Sequence, residues 1–163
     1  KAKMSKSLNN CIYLSDTAEE VSKKVMSMFT DPNHLKVSDP GETEGNPVFI
    51  YLEAFANDEH FKKFWPEYEN LEALESHYRR GGLGDVKVKR FLVNVLNDTL
   101  EPIRERRKEL EKDIPAIYDI LKEGSIYAQK IAARTLSEVK KAMRINYFDD
   151  DSLIRNHQEK FGK

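Results

Sequence analysis

Between Val88 and Ile103 the apolar residues recur at a spacing that only a helix can use. Val88, Leu92, Val95, Leu96, Leu100 and Ile103 fall on one face of a coil with about 3.6 residues per turn. A half-buried strand would need alternate residues to be apolar, and that alternation is nearly absent from the 163 residues. Pro102 lies inside the stripe and predicts either a kink or one lost backbone hydrogen bond. Two further stripes share the period. Val21, Val25, Met28 and Phe29 run ahead of Thr30-Asp31-Pro32, whose proline is expected to end the helix. Ala128, Ile131, Ala132, Thr135, Leu136, Val139 and Met143 form a stripe rich in small residues, which predicts close helix–helix approach. The chain is therefore read as all-α, a helical bundle of about six or seven helices.

Local signals place the helix ends. Asp16 with Glu19 forms a capping-box pattern. Pro47, a favoured first-turn residue, opens a helix carrying Val48, Tyr51, Leu52 and Phe55. Asp58 is expected to cap the next, with Phe61, Phe64 and Trp65 as core. Leu71, Leu74 and Tyr78 mark a further helix, ended by Gly81-Gly82. Pro115 starts a shorter helix with Ile117 and Leu121, and Gly124-Ser125 offers a break and a new cap. Residues 33–47 form an irregular stretch, long enough to imply a function or a loop that wraps another element. After Asp149-Asp150-Asp151 the polar end is read as a short capped helix or a frayed tail. Three segments result: 1–15, a loop and connection; 16–148, the helical domain; and 149–163, a polar tail.

The net charge of −1 gives the whole chain no bulk attraction to nucleic acid or membrane. The sign is unevenly spread: residues 41–78 carry about −7 and residues 79–108 about +5. Any RNA would meet the basic part. Cys11 is the only cysteine, so no intramolecular disulfide forms, and a reducing compartment is the natural setting. No apolar run approaches the ~20 residues of a membrane span, and no apolar signal segment opens the chain, which predicts a cytoplasmic protein. His34, His60, His77 and His157 are scattered, so no metal site is expected.

The chemistry concentrates in Lys3-Met4-Ser5-Lys6-Ser7. Compact, flexible ammonium groups follow a moving phosphate, and the flanking hydroxyls add short hydrogen bonds. The plainer reading is a solvated basic arm. A second concentration, Lys87, Lys89, Arg90, Arg104, Arg106 and Arg107, lies on one long helix or its flanks. Arginine forks suit phosphates and guanidinium planes stack on unpaired bases; alternatively these residues form a charged solvent face.

The pentapeptide resembles the signature loop of class I aminoacyl-tRNA synthetases. The runs at 41–48, 81–89, 100–107 and 142–148 resemble segments of bacterial tryptophanyl-tRNA synthetases and span most of residues 3–148. The resemblance implies the C-terminal portion of such a ligase, with residues 1–15 as catalytic loop and connection to a Rossmann domain, and 16–148 as the anticodon-binding domain. It gives Lys3 and Lys6 a catalytic role on the leaving pyrophosphate, and Lys3, Met4, Ser5, Lys6 and Ser7 an ATP-binding role. It gives the basic helix a share in binding tRNA(Trp). ATP enters as substrate with its magnesium, tryptophan as the other substrate, and nothing is expected to bind this chain tightly by itself. Members are homodimers through the Rossmann domain, so this chain alone is expected to be monomeric. None of the four histidines begins the His-x-Gly-His run such enzymes also need, and the isolated chain is expected to be inactive. A non-catalytic RNA-binding or regulatory module and the tyrosine-specific synthetase stand as alternatives.

Overall fold

The structure, a computed structural model, describes residues 5–8 and 10–162. After a 3-10 turn at Lys6–Leu8 come α1 (Ala18–Met26), α2 (Pro47–Phe55), α3 (Asp58–Phe64), α4 (Leu71–Arg80), α5 (Asp85–Leu110) and α6 (Ile114–Ala142). A second 3-10 turn at Tyr147–Asp149 precedes α7 (Asp151–Phe161). The all-α reading holds, with seven α-helices and no strand among the described residues. Two compact units divide the chain, Lys1–Glu109 and Leu110–Lys163. That boundary falls inside the span 16–148 read as one domain.

The core of the first unit gathers around α5. Val88, Phe91, Leu92, Val95, Leu96 and Leu100 are buried there, against Val21 and Val25 of α1, Val48, Phe49 and Leu52 of α2, Phe61 of α3, and Leu74 and Tyr78 of α4. Each such side chain contributes about 1.5–3 kcal/mol by leaving water. Phe64 and Trp65 pack against the cluster, as read from the sequence.

Two caps sit one residue from their expected places. Thr17, not Asp16, caps α1: its Oγ1 accepts from Glu20 N at 3.2 Å, and Glu20 Oε2 accepts from Thr17 N at 2.8 Å. The Thr17 amide and hydroxyl hold the Glu20 carboxyl below its usual value. Asn57, not Asp58, caps α3, with Oδ1 accepting from His60 N at 3.1 Å. Moreover, α1 stops at Met26, before the proline signal, so Met28 packs on the core from outside the helix and Phe29 is exposed.

The irregular stretch 33–47 wraps the end of α4. Gly82 N donates to Val37 O at 2.7 Å and Gly41 N to Tyr78 O at 3.1 Å. Gly81, at φ 85°, ends α4 in a conformation that side chains resist, and a Cβ there would lie 2.4 Å from Ser38 O. Pro102 is accommodated within α5, which continues to Leu110.

In the second unit α6 opens at Asp113, whose Oδ1 accepts from Ala116 N at 3.1 Å, and runs unbroken through Gly124. The expected break at Gly124-Ser125 is absent. One glycine costs a helix only about 1 kcal/mol, too little to divide so long a run. In the small-residue stripe, from which a close helix–helix approach was expected, Ile131, Leu136, Val139 and Met143 are exposed. The chain's polar end forms α7, capped by Asp150, which accepts from Leu153 N at 3.0 Å.

Candidate functional site

Lys3 and Met4 of the signature loop lie outside the described residues. In the rest, Ser5 N donates to Asn10 Oδ1 at 2.8 Å, and the Ser5 and Ser7 hydroxyls stand 3.1 Å apart. Leu8 N closes the 3-10 turn on Ser5 O at 3.3 Å. Lys6 sits in that turn and is exposed, so its ammonium is displayed to solvent.

Behind the turn the chain is held. Ile12 packs against the core, and Asp16, only 6% exposed, closes the turn that starts at Tyr13. Asp16 Oδ2 accepts from Tyr13 N at 2.8 Å and from Lys24 Nζ at 2.6 Å. The Lys24 ammonium also stands 4.5 Å from the Tyr13 ring centroid, a cation–π distance. This use of its carboxylate explains why Asp16 does not cap α1.

Of the six basic residues read as an RNA face, Lys87, Arg90, Arg106 and Arg107 are exposed and Lys89 and Arg104 are not. Lys89 donates to Met28 O at 2.6 Å and Met26 O at 3.1 Å, filling carbonyls at the end of α1. Burial pushes its ammonium pKa down, against a smaller opposing pull from Asp85. Arg104 donates to Asp16 O at 2.9 Å and Asn97 Oδ1 at 2.6 Å, and pairs with Glu101. Both side chains are engaged inside the first unit, which sets them apart from the four exposed cations. A signal was present. Lys89 stands three residues before Leu92 and Arg104 four after Leu100, both on the apolar face. The exposed cations thus form two groups, with Arg90 and Arg106 roughly 24 Å apart along α5 at 1.5 Å per residue.

At the start of α5 lies a cluster that no motif announced. Tyr78 Oη donates to Asp85 Oδ1 at 2.6 Å, and buried His34 places Nδ1 3.3 Å from Asp85 Oδ2 and its ring 4.8 Å from that of Tyr78. Burial and the Asp85 hydrogen bond push the Tyr78 phenol pKa up. A cleft of about 270 Å³ adjoins it, lined by His34, Lys36, Val37, Asp85 and Lys87 among others. Among the described residues no three or more His, Cys, Asp or Glu gather to hold a metal ion, and no helix is long and apolar enough to cross a membrane.

Residues 1–101 match the family described as tRNA synthetases class I (W and Y). The chain is 57% identical over 150 residues to the tryptophan–tRNA ligase of Clostridium longisporum, covering 92% of this chain and 41% of that protein. It is 58% identical over 147 residues to the corresponding ligase of Streptococcus pyogenes serotype M3, covering 90% and 41%. The crystal structure of tryptophanyl-tRNA synthetase from Campylobacter jejuni, complexed with ADP and tryptophan, superposes with a TM-score of 0.66 at 25% identity, covering 87% of this chain and 41% of that one. The chain thus spans about two fifths of the length of the curated relatives it matches.

Proposed function

This chain belongs to the class I tRNA synthetases (W and Y), and from that premise we propose that it is the signature-loop and helical part of a tryptophan–tRNA ligase. The whole enzyme would activate tryptophan with ATP and transfer it to tRNA(Trp). The observation that carries this reading is the 57% identity to a tryptophan–tRNA ligase across 92% of the chain. The Clostridium and Streptococcus relatives are both tryptophan enzymes, which disfavours tyrosine.

Attack of the tryptophan carboxylate on the α-phosphate of ATP expels pyrophosphate and builds charge on the leaving oxygens. Ammonium groups that close on that charge stabilise the transition state more than the ground state. Lys3 and Lys6 are the residues for this role, with Ser5, Ser7 and the Met4 main chain holding the nucleotide. The exposure of Lys6 suits a group that must travel to its ligand. Magnesium would arrive with ATP, as part of the substrate. Lys87, Arg90, Arg106 and Arg107 are the remaining cations for tRNA phosphates. The reaction would take place in the cytoplasm, and the whole enzyme would be a homodimer held through its Rossmann domain, leaving this chain alone monomeric.

In the full-length protein, tryptophan-dependent exchange of pyrophosphate into ATP should be measurable, and Lys6→Ala should lower its kcat by about 100-fold. Exchange driven by tyrosine instead, or unchanged in Lys6→Ala, sinks the reading. Binding of tRNA(Trp) should weaken steeply with salt. Charge reversal at Arg106 and Arg107 should reduce the salt slope by about one for each phosphate that is no longer neutralised.

A further inference from the structure

Arg104 continues the buried face of α5 and is 8% exposed. A guanidinium costs free energy to bury unless its donors are filled, and these are filled in a particular way. Nε donates to the main-chain carbonyl of Asp16 at 2.9 Å, one terminal nitrogen to Asn97 Oδ1 at 2.6 Å, and the other to Glu101. Asn97 in turn donates through Nδ2 to Ala18 O at 3.3 Å. Two side chains on α5 therefore hold two carbonyls that bracket the start of α1. From the other side, the Asp16 carboxylate grips Tyr13 N and Lys24 Nζ.

An aliphatic residue would fill this space as well. A planar guanidinium whose ends are held by Asn97 and Glu101 does more, because its Nε–H then meets the Asp16 carbonyl from a set direction as well as at a set depth. Ser7 stands only six positions before Tyr13, so the loop reaches at most about 20 Å from that point. Where the point sits limits where Lys6 can go.

We infer that Arg104, together with Asn97, is a positioning residue for the signature loop, anchoring the main chain at Asp16–Ala18 so that Lys6 and its neighbours swing from a fixed root. The consequence for catalysis rests on the ligase reading; the anchor itself does not.

Two measurements on Arg104→Lys and Asn97→Ala test it. In this chain, hydrogen exchange at the Tyr13 and Asp16 amides should quicken about tenfold while α4 stays unchanged. In the full-length enzyme, kcat for tryptophan-dependent pyrophosphate exchange should fall about tenfold or more, with the KM for tryptophan within about twofold. Lys23→Ala, an exposed change on α1, should alter neither. Unchanged hydrogen exchange at Tyr13 and Asp16 overturns the anchor. Faster hydrogen exchange with unaltered kcat overturns the positioning role and leaves a structural one. If the wild-type enzyme shows no tryptophan-dependent activity, the ligase reading fails, and hydrogen exchange still decides the anchor. Should Arg104→Lys not fold, Asn97→Ala carries both comparisons, since it removes the bond to Ala18 O and the acceptor that orients the guanidinium.

Discussion

Helices α5 and α6 carry apolar stripes of the same period, yet one is closed and the other open. In α5, Leu92, Val95 and Leu96 are 0–3% exposed; in α6, Leu121, Ile131 and Leu136 are 51–60% exposed. The described part of the unit Leu110–Lys163 contains no buried residue at all. Periodicity tells which way a face points. Whether anything lies on that face is decided by the rest of the fold, and the two units answer differently.

The contrast is sharpest for side-chain truncation. Leu92→Ala should cost about 2–5 kcal/mol in urea unfolding, because the fully buried site cannot collapse around the loss. Leu121→Ala and Leu136→Ala should each stay within about 0.5 kcal/mol. Comparable losses in the two helices would erase the distinction.

Glycines extend it. Gly41→Ala would bring a Cβ to 2.3 Å from Tyr78 Cε1, inside the packed wrap around α4. A loss of about 1–3 kcal/mol is expected in the same assay. In α6 the sign reverses: a Cβ on Gly124 meets nothing within 4 Å. Gly124→Ala should therefore stabilise α6 by about 0.5–1 kcal/mol, read as slower hydrogen exchange along Ile114–Ala142. Destabilisation there would mean that something covers that side of the helix.

Acid provides the smallest effect. Asp31 accepts from Asn33 N and from Glu42 N, both at 2.9 Å, and these amides hold its carboxyl below the ordinary 3.8. A folded-state pKa below the unfolded one stabilises above the unfolded value and is lost as pH falls through the folded value. The wild-type chain should thus lose this contribution below about pH 3.8, and Asp31→Asn should flatten that limb of a pH titration of the unfolding midpoint. Asp150 is depressed in the same sense by the Ser152 hydroxyl and the Leu153 amide. It caps only α7, so Asp150→Asn should change the helicity of α7 and leave the core of the first unit untouched.

Much of this was legible in advance. The α5 stripe from Val88 to Leu100, the opening of α2 at Pro47 and the end of α4 at Gly81 follow from period, ring and φ. Ile103 did not follow, because the stripe drifts and seats Arg104 inward. The caps at Thr17 and Asn57 were missed by one residue, since adjacent polar residues compete for the same amides. Asp16 lost that competition because Lys24 and Tyr13 use its carboxylate. Of the candidate site, Ser5, Lys6 and Ser7 could be read as a motif. Lys89 and Arg104 looked like surface charge, because sequence records a cation and not the carbonyls it will find.

The bond from Arg104 to Asp16 joins residues 88 apart, and that separation bears on the order of events during synthesis. The N-terminal part of this chain leaves the ribosome well before the residue that will fasten it. α1 emerges early, but its entry cannot be fixed until most of α5 is made. Closing so long a loop is entropically slow. The signature loop should therefore acquire its final footing late, among the last features of the first unit to mature.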